Sequence, residues 1–87
     1  MHYVYILQSV DYGRFYIGVT QNIEIRLKQH NAGSSKSTKP YRPWKVVYTE
    51  KFKSKKEAYK REFYLKHPKG YQEKLKIINN LKNGEVA

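Results

Sequence analysis

Apolar and aromatic residues open the chain in two runs of strand length. β-Branched and aromatic side chains fill residues 2–8 and again residues 14–20, a composition typical of β-strands. Residues 11–13 between them, Asp-Tyr-Gly, are a turn signal with a glycine able to adopt positive φ. The pattern predicts a β-hairpin over residues 2–20. Gly18 is unfavourable inside a strand, so it predicts either a bulge or the close approach of another group.

Helical spacing follows the hairpin. Asn22 is a good N-cap and Gly33 suits a left-handed C-terminal position, so we predict a helix over residues 23–31. Four residues spaced i, i+3, i+4 and i+7 share one face of this helix: Ile23, Arg26, Leu27 and His30. Because the two apolar members anchor that face, Arg26 and His30 should lie beside the core.

A polar, proline-bearing loop over residues 34–43 precedes a third predicted strand, residues 44–52. The loop and the start of the strand carry four cations that are candidate nucleic-acid-binding residues: Lys36, Lys39, Arg42 and Lys45. A solvated connector and a clamp on a phosphate backbone are both open at this point.

Two further helices complete the chain. A capping box at residues 54–57 begins a helix that should run to residue 66, with Ala58, Glu62 and Leu65 facing inward and Tyr59 and Phe63 beside them. A last amphipathic helix is predicted over residues 71–82, with Leu75, Ile78 and Leu81 in the core, and residues 83–87 should fray. The order ββαβαα predicts one domain over residues 1–87, of the α/β (α+β) class, with a small three-stranded, largely antiparallel sheet and helices packed on it.

Charge indicates the kind of partner. The chain has 18 Lys and Arg against 7 Asp and Glu, a formal net charge of +11 on 87 residues. Such an excess favours a polyanionic partner, with nucleic acid first. A membrane surface is disfavoured because the cations are not confined to one amphipathic helix. Cysteine is absent, which excludes disulfides and thiolate chemistry. With no long apolar run or signal-peptide pattern, we expect a cytoplasmic protein.

Several polar residues could carry chemistry, and each has a structural alternative. Glu62 on an inward helical face needs a partner, either a lysine or arginine or a divalent cation such as Mg²⁺. Arg26 could be an ion-pair member or could bind phosphate oxygens, and His30 could be a hydrogen-bonded spacer or could move protons. Tyr5 and Tyr16 could be core rings or could orient and deprotonate a water.

The motifs occur in an order that resembles a known family. Tyr3-Val4-Tyr5, Tyr16-Ile17-Gly18, the Asn22-to-Gly33 segment and Glu57-to-Glu62 together resemble the GIY-YIG nuclease domain. The chain is most similar to the small single-domain bacterial members, which carry an excision-repair-nuclease-like domain.

The resemblance implies a function for each matching residue. It assigns Glu62 to a divalent metal (Mg²⁺ or Mn²⁺) and Arg26 to the scissile phosphate. Tyr5 and Tyr16 would surround the nucleophilic water, one of them as its base, and His30 would assist proton transfer. Gly18 would allow close packing at the site. The implied activity is one-metal endonucleolytic hydrolysis of DNA in repair or recombination, with DNA favoured over RNA. We expect a monomer, with a protein partner as a source of specificity.

Two positions depart from the family pattern. Tyr3 replaces the first motif's glycine, and Val19 stands where some catalytic members have a lysine, for which Lys39, Arg42 or Lys45 could substitute. Two alternatives to the enzyme stay open. One is a non-catalytic nucleic-acid-binding module of the same fold, and the other is a basic structural protein that docks on an acidic or RNA-bearing assembly.

Overall fold

The computed structural model describes residues 1–82, with side chains described as far as residue 80. It confirms the predicted order of elements, with β1 (His2–Ser9), β2 (Phe15–Thr20), α1 (Ile23–Ala32), β3 (Trp44–Phe52), α2 (Lys55–Lys66) and α3 (Tyr71–Lys82). Two short 3₁₀ turns that were not predicted lie at Lys39–Tyr41 and Pro68–Gly70. The expectations for the Leu81 side chain and for residues 83–87 fall outside what is described.

The three strands form one antiparallel sheet in the order β2-β1-β3. Because side chains alternate along a strand, the central strand β1 contributes residues to two separate core clusters. Val4 and Ile6 pack with Ala58 and Leu65 of α2 on one side of the sheet. Tyr5 and Leu7 face the other side, where a second cluster also includes Trp44 and Leu27 of α1. The strand is therefore covered on both faces although the protein is small.

The helix ends follow from their capping residues. The Asn22 side chain accepts a hydrogen bond from the Ile25 backbone N–H at 3.1 Å, and Gly33 ends α1 at φ 87°. Ser54 caps α2 in the same way by accepting from the Glu57 N–H at 3.4 Å. These local signals explain why the helix bounds agree with the sequence to within one residue.

The outward face of α2 differs from the prediction. Ala58 and Leu65 are fully buried as expected, and Glu62 lies at the border of the buried face with 20% of its side chain exposed. Tyr59 and Phe63, predicted beside the inward face, are exposed to solvent. The reason is helical geometry, because a turn of 100° per residue carries Phe63 away from the sheet once Leu65 and Ala58 define the inward direction. No helix within residues 1–82 has the length and apolarity needed to cross a membrane.

Candidate active site

Gly18 permits the close packing at the centre of the site. Tyr5 and Gly18 are direct cross-strand partners, and the β1–β2 register is continuous through this pair. A Cβ atom on Gly18 would lie 2.5 Å from the Tyr5 hydroxyl oxygen and 3.1 Å from Cε2 of Tyr16. Any side chain here would displace Tyr5, so of the two predicted reasons for this glycine the close approach is right and the bulge is wrong.

A chain of hydrogen bonds leads inward from Tyr5. The Tyr5 hydroxyl is 3.0 Å from Nε2 of His30, and Nδ1 of His30 is 2.8 Å from Oγ1 of Thr38. Thr38 in turn donates to the Ser35 carbonyl at 3.4 Å. One assignment of protons satisfies all of these groups: Tyr5 O–H donates to Nε2, and Nδ1–H donates to Thr38. In this assignment His30 is the Nδ1–H tautomer, and its Nε2 lone pair accepts from Tyr5.

Thr38 is itself fixed by the protein. Its side chain and that of His30 are both buried, and its backbone carbonyl accepts a hydrogen bond from the Trp44 indole N–H at 2.8 Å. Since Trp44 belongs to the second core cluster, the orientation of the imidazole is tied to the packing of that side of the sheet. Sequence reasoning missed Thr38, because one threonine in a polar loop carries no signal of burial.

The electrostatics keep both members of the Tyr5–His30 pair neutral at pH 7. Burial raises the pKa of the Tyr5 hydroxyl to about 12, although the nearby Arg26 guanidinium acts in the opposite direction. Burial lowers the pKa of His30, and the positive charge of Arg26 lowers it further. Tyr5 is therefore a neutral phenol hydrogen-bonded to a neutral imidazole.

Tyr16 and Arg26 complete this side of the site. The Tyr16 ring meets His30 edge to face, with 4.9 Å between ring centroids, and lies 6.3 Å from the Tyr5 ring. Partial burial opposes the charge of Arg26, yet hydrogen bonding to Tyr5 and the nearby Tyr16 hydroxyl raises the pKa of Arg26. Its Nη1 donates to Gln29 at 2.9 Å, and the five donors of a guanidinium leave capacity for a phosphate.

Glu62 reaches the site from the other side of the sheet. Its carboxylate is 3.4 Å from Nζ of Lys66, with side-chain exposures of 20% and 48%. That ammonium group lies 5.4 Å from the Tyr16 ring centroid, so the two sides of the sheet meet at the edge strand β2. The Glu62–Lys66 spacing of four residues was readable in the sequence as a helical ion pair. A long i,i+4 pair of this kind, whose lysine is half-exposed, contributes only about 0.3–0.5 kcal/mol.

The donor chemistry at Glu62 fits a hydrated Mg²⁺ or Mn²⁺ ion. Through residue 82 there is no group of three or more His, Asp or Glu side chains that could hold a metal together. A cation here would have one protein carboxylate, with water and substrate phosphate oxygens as its other ligands. Mg²⁺ accepts this arrangement because it retains much of its hydration shell.

The four predicted nucleic-acid-binding cations are all exposed: Lys36, Lys39, Arg42 and Lys45. The loop that carries the first three also contains Ser35 and Thr38, so it is attached to the site through the His30 hydrogen bonds. Two other cations lie near the tyrosines of the site: Arg26 is close to the Tyr5 hydroxyl, and Lys66 lies over the Tyr16 ring. The substitution of a loop cation for the lysine after the Tyr-X-Gly motif stays a prediction.

Comparison with known proteins identifies the type of domain. The model of the GIY-YIG catalytic domain matches residues 1–76, and the chain therefore belongs to the GIY-YIG family, as its motifs predicted. Domains of this family are usually endonucleases that depend on a divalent metal, so membership indicates a nuclease-type domain that acts on nucleic acid.

Its relatives are small bacterial proteins. The chain is 47% identical over 78 residues to a UPF0213 protein of Staphylococcus haemolyticus, covering 88% of this chain and 93% of that protein. It is 44% identical over 81 residues to a UPF0213 protein of Clostridium perfringens, covering 92% and 85%. The solution NMR structure of a UPF0213 protein from Bacillus halodurans is similar, at 34% identity and a TM-score of 0.50, covering 87% of this chain and 83% of that one.

Proposed function

We propose that this protein is a metal-dependent endonuclease that hydrolyses DNA phosphodiester bonds at the site formed by Tyr5, Tyr16, Arg26, His30 and Glu62. The observation that carries the proposal is the buried 3.0 Å bond between Tyr5 and a neutral His30, next to an arginine and a weakly paired carboxylate. Each member has a use in phosphodiester hydrolysis, and the net charge of +11 supplies attraction for a polyanion.

Tyr5 and His30 would together activate the attacking water. With a pKa of about 12, the Tyr5 hydroxyl stays protonated at neutral pH and cannot act as a base alone. In one concerted step, the water oxygen would bond to phosphorus while a water proton passes to the Tyr5 oxygen and the Tyr5 proton passes to Nε2 of His30. The resulting imidazolium keeps its Nδ1–H bond to Thr38. The proton thus ends on His30, the bond from phosphorus to the leaving oxygen breaks, and that oxygen leaves with the electron pair and takes a proton from solvent water.

Arg26 and Glu62 would handle the charge on the phosphate. Arg26 lies beside the Tyr5 hydroxyl, where its guanidinium can bind non-bridging phosphate oxygens and hold the phosphorus in line with the water. A divalent cation held by Glu62 would supply positive charge for the phosphate and the leaving oxygen. Lys66 would be released from Glu62 and could then contact the DNA backbone. We propose DNA as the substrate and repair or recombination as the role, because the motifs resemble those of an excision-repair nuclease.

The Glu62–Lys66 ion pair favours a second candidate function. If Lys66 is the lasting partner of Glu62, the fold is a non-catalytic module that binds nucleic acid through its basic surface. The two candidates share salt-sensitive binding, because both depend on phosphate contacts. They differ only in cleavage.

A panel of labelled substrates tests the proposal: duplex, single-stranded, flap and four-way-junction DNA, and RNA. We expect cleavage of DNA with Mg²⁺ or Mn²⁺, none with a chelator, and none by Glu62→Ala prepared in the same way, which also controls for contaminating nucleases. Binding without metal-dependent cleavage of any substrate would favour the second candidate. Cleavage that Glu62→Ala retains would contradict the assigned site.

A further inference from the structure

Of the three exposed aromatic side chains on the helix that carries Glu62, two lie on the same side of the helix as Lys66. Tyr59 is 47% exposed and Phe63 is 68% exposed. They are one helical turn apart and therefore neighbours on the surface of α2. Neither belongs to the two core clusters, so packing of the protein itself does not account for them.

The two rings adjoin the candidate active site. Tyr59 lies three residues before Glu62 and Phe63 directly follows it, so both are within about one helical turn of the carboxylate. Around the helix axis, Lys66 falls between Glu62 and the rings, and its ammonium group lies over Tyr16. A strand whose phosphate is held between Arg26 and Glu62 would therefore have a neighbouring nucleotide within reach of this aromatic surface.

Cationic and titratable groups accompany the rings. The Lys55 ammonium lies 5.8 Å from the Tyr59 ring centroid, and the His67 ring lies 5.4 Å from the Phe63 ring at a tilt of 35°. Lys56, also exposed, lies on the same side of the helix. Aromatic rings interspersed with cations match a single nucleic-acid strand, whose bases offer stacking faces and whose backbone is anionic. An apolar protein surface would not complement these charges.

We propose that Tyr59 and Phe63 form a stacking platform for an unpaired nucleobase beside the scissile phosphate, so that the preferred substrate has a single-stranded segment at the cut. This inference rests on the proposed nuclease function. In a duplex both faces of each base are covered by its neighbours, and only an unpaired base can place a face against these rings. The platform therefore selects a strand by its structure and not by its sequence.

The test measures binding of a single-stranded oligonucleotide that contains 2-aminopurine, whose fluorescence is quenched by stacking, and of the matched duplex. The Tyr59→Ala/Phe63→Ala protein should bind the single strand about tenfold more weakly or worse, the amount expected for losing a stacked base, and should lose the quenching. Its affinity for the duplex should change by less than about twofold. Both substitutions are at exposed helical positions, where alanine is compatible with folding.

Two control variants sharpen the result. Tyr12→Ala removes another exposed ring, 59% accessible and located in the β1–β2 turn, and should leave single-strand binding unchanged. Tyr59→Phe keeps the ring and should bind like the wild type. The platform would be overturned if the Tyr59→Ala/Phe63→Ala protein bound single strand and duplex with equally reduced affinity, or bound both as tightly as the wild type does. A dimer that dissociates in the double variant would overturn it too, because the rings would then bind a second copy.

Metal-dependent cleavage is recorded on the same preparations. If the wild type cleaves DNA and the double variant binds and cuts single-stranded segments equally well, only the platform is wrong. If the wild type neither binds nor cleaves any DNA, the proposed function fails and the platform fails with it.

Discussion

Arg61 and Glu62 are neighbours on α2, and their surroundings differ sharply. Arg61 lies between two carboxylates and donates two hydrogen bonds to each. Nε and Nη2 donate to Glu50 at 2.8 and 2.9 Å, and Nη1 and Nη2 donate to Glu73, both at 2.9 Å. The Tyr48 hydroxyl donates to Glu50 at 2.6 Å. One arginine thereby connects β3, α2 and α3, and we call this group the Arg61 clamp. Glu62, one residue later, has a single long contact to a half-exposed lysine.

The comparison separates charges that hold the fold together from one that is available for chemistry. Burial works against the charge of Glu50, yet the bonds from Arg61 hold the pKa of Glu50 below its usual range. Hydrogen bonding from Arg61 also lowers the pKa of Glu73. Both carboxylates are thus committed to a bidentate partner. Glu62 has no such partner, and exchanging Lys66 for a cation would cost the fold little.

Loss of the clamp should give the largest change in stability. Arg61→Met leaves Glu50 partly buried without its cation, and we expect the free energy of unfolding to fall by about 2–3 kcal/mol, somewhat less than for a fully buried pair. Chemical denaturation measures this. Lys60→Met, at the neighbouring exposed position, is the matched control and should change stability by less than about 0.5 kcal/mol. Equal losses of unfolding free energy in the two variants would show that the Arg61 clamp contributes no more stability than an exposed lysine.

Thr38→Val should have the next largest effect. Valine has nearly the shape of threonine but leaves the His30 Nδ1–H buried without an acceptor, at a cost of about 1–2 kcal/mol in unfolding free energy. The cleavage rate should also fall, by about tenfold or more, because His30 is no longer held in the tautomer that accepts from Tyr5. Thr38→Ser keeps the hydroxyl and should restore most of the rate. NMR of the His30 ring nitrogens reports the tautomer, and an unchanged signal in the valine variant would contradict this role for Thr38.

Stability should depend on pH through His30. Its pKa in the folded protein is lowered by burial and by Arg26, so the unfolded chain binds this proton more readily. The free energy of unfolding should therefore fall as the pH is lowered from about 7 toward about 5, beginning near the ordinary histidine value of about 6.5. Denaturation at several pH values tests this. His30→Gln should flatten the profile in that window, and a variant with the wild-type slope would show that another group is responsible.

The regular elements could be predicted because their signals are local. Asn22, Gly33 and Ser54 mark helix ends within one turn of the backbone they cap, and the bounds of β3, α2 and α3 agree with those expected. The motif order also led to the five candidate residues, of which the structure brings Tyr5, Tyr16 and His30 into one cluster. Local patterns were sufficient where the cause was local.

The features that were missed depend on contacts between distant segments. Thr38 is buried only because the loop after α1 folds back on His30 and Trp44, which no periodicity in residues 34–43 indicates. The different surroundings of Arg61 and Glu62 likewise depend on Glu50 of β3 and Glu73 of α3, which both pair with Arg61. The helical spacing predicted that Glu62 faces inward. It did not show that the adjacent Arg61 forms ion pairs with Glu50 and Glu73.

Glu62→Gln tests the central claim most directly, with unfolding free energy and metal-dependent cleavage measured on one preparation. The account predicts the smallest stability change of the series, within about 0.5 kcal/mol of the wild type. It also predicts a loss of cleavage of about a hundredfold or more, since charge stabilisation at the phosphate is removed. Cleavage at the wild-type rate would contradict the role of Glu62 in the chemistry, and destabilisation as large as that of Arg61→Met would show that Glu62 holds the fold together.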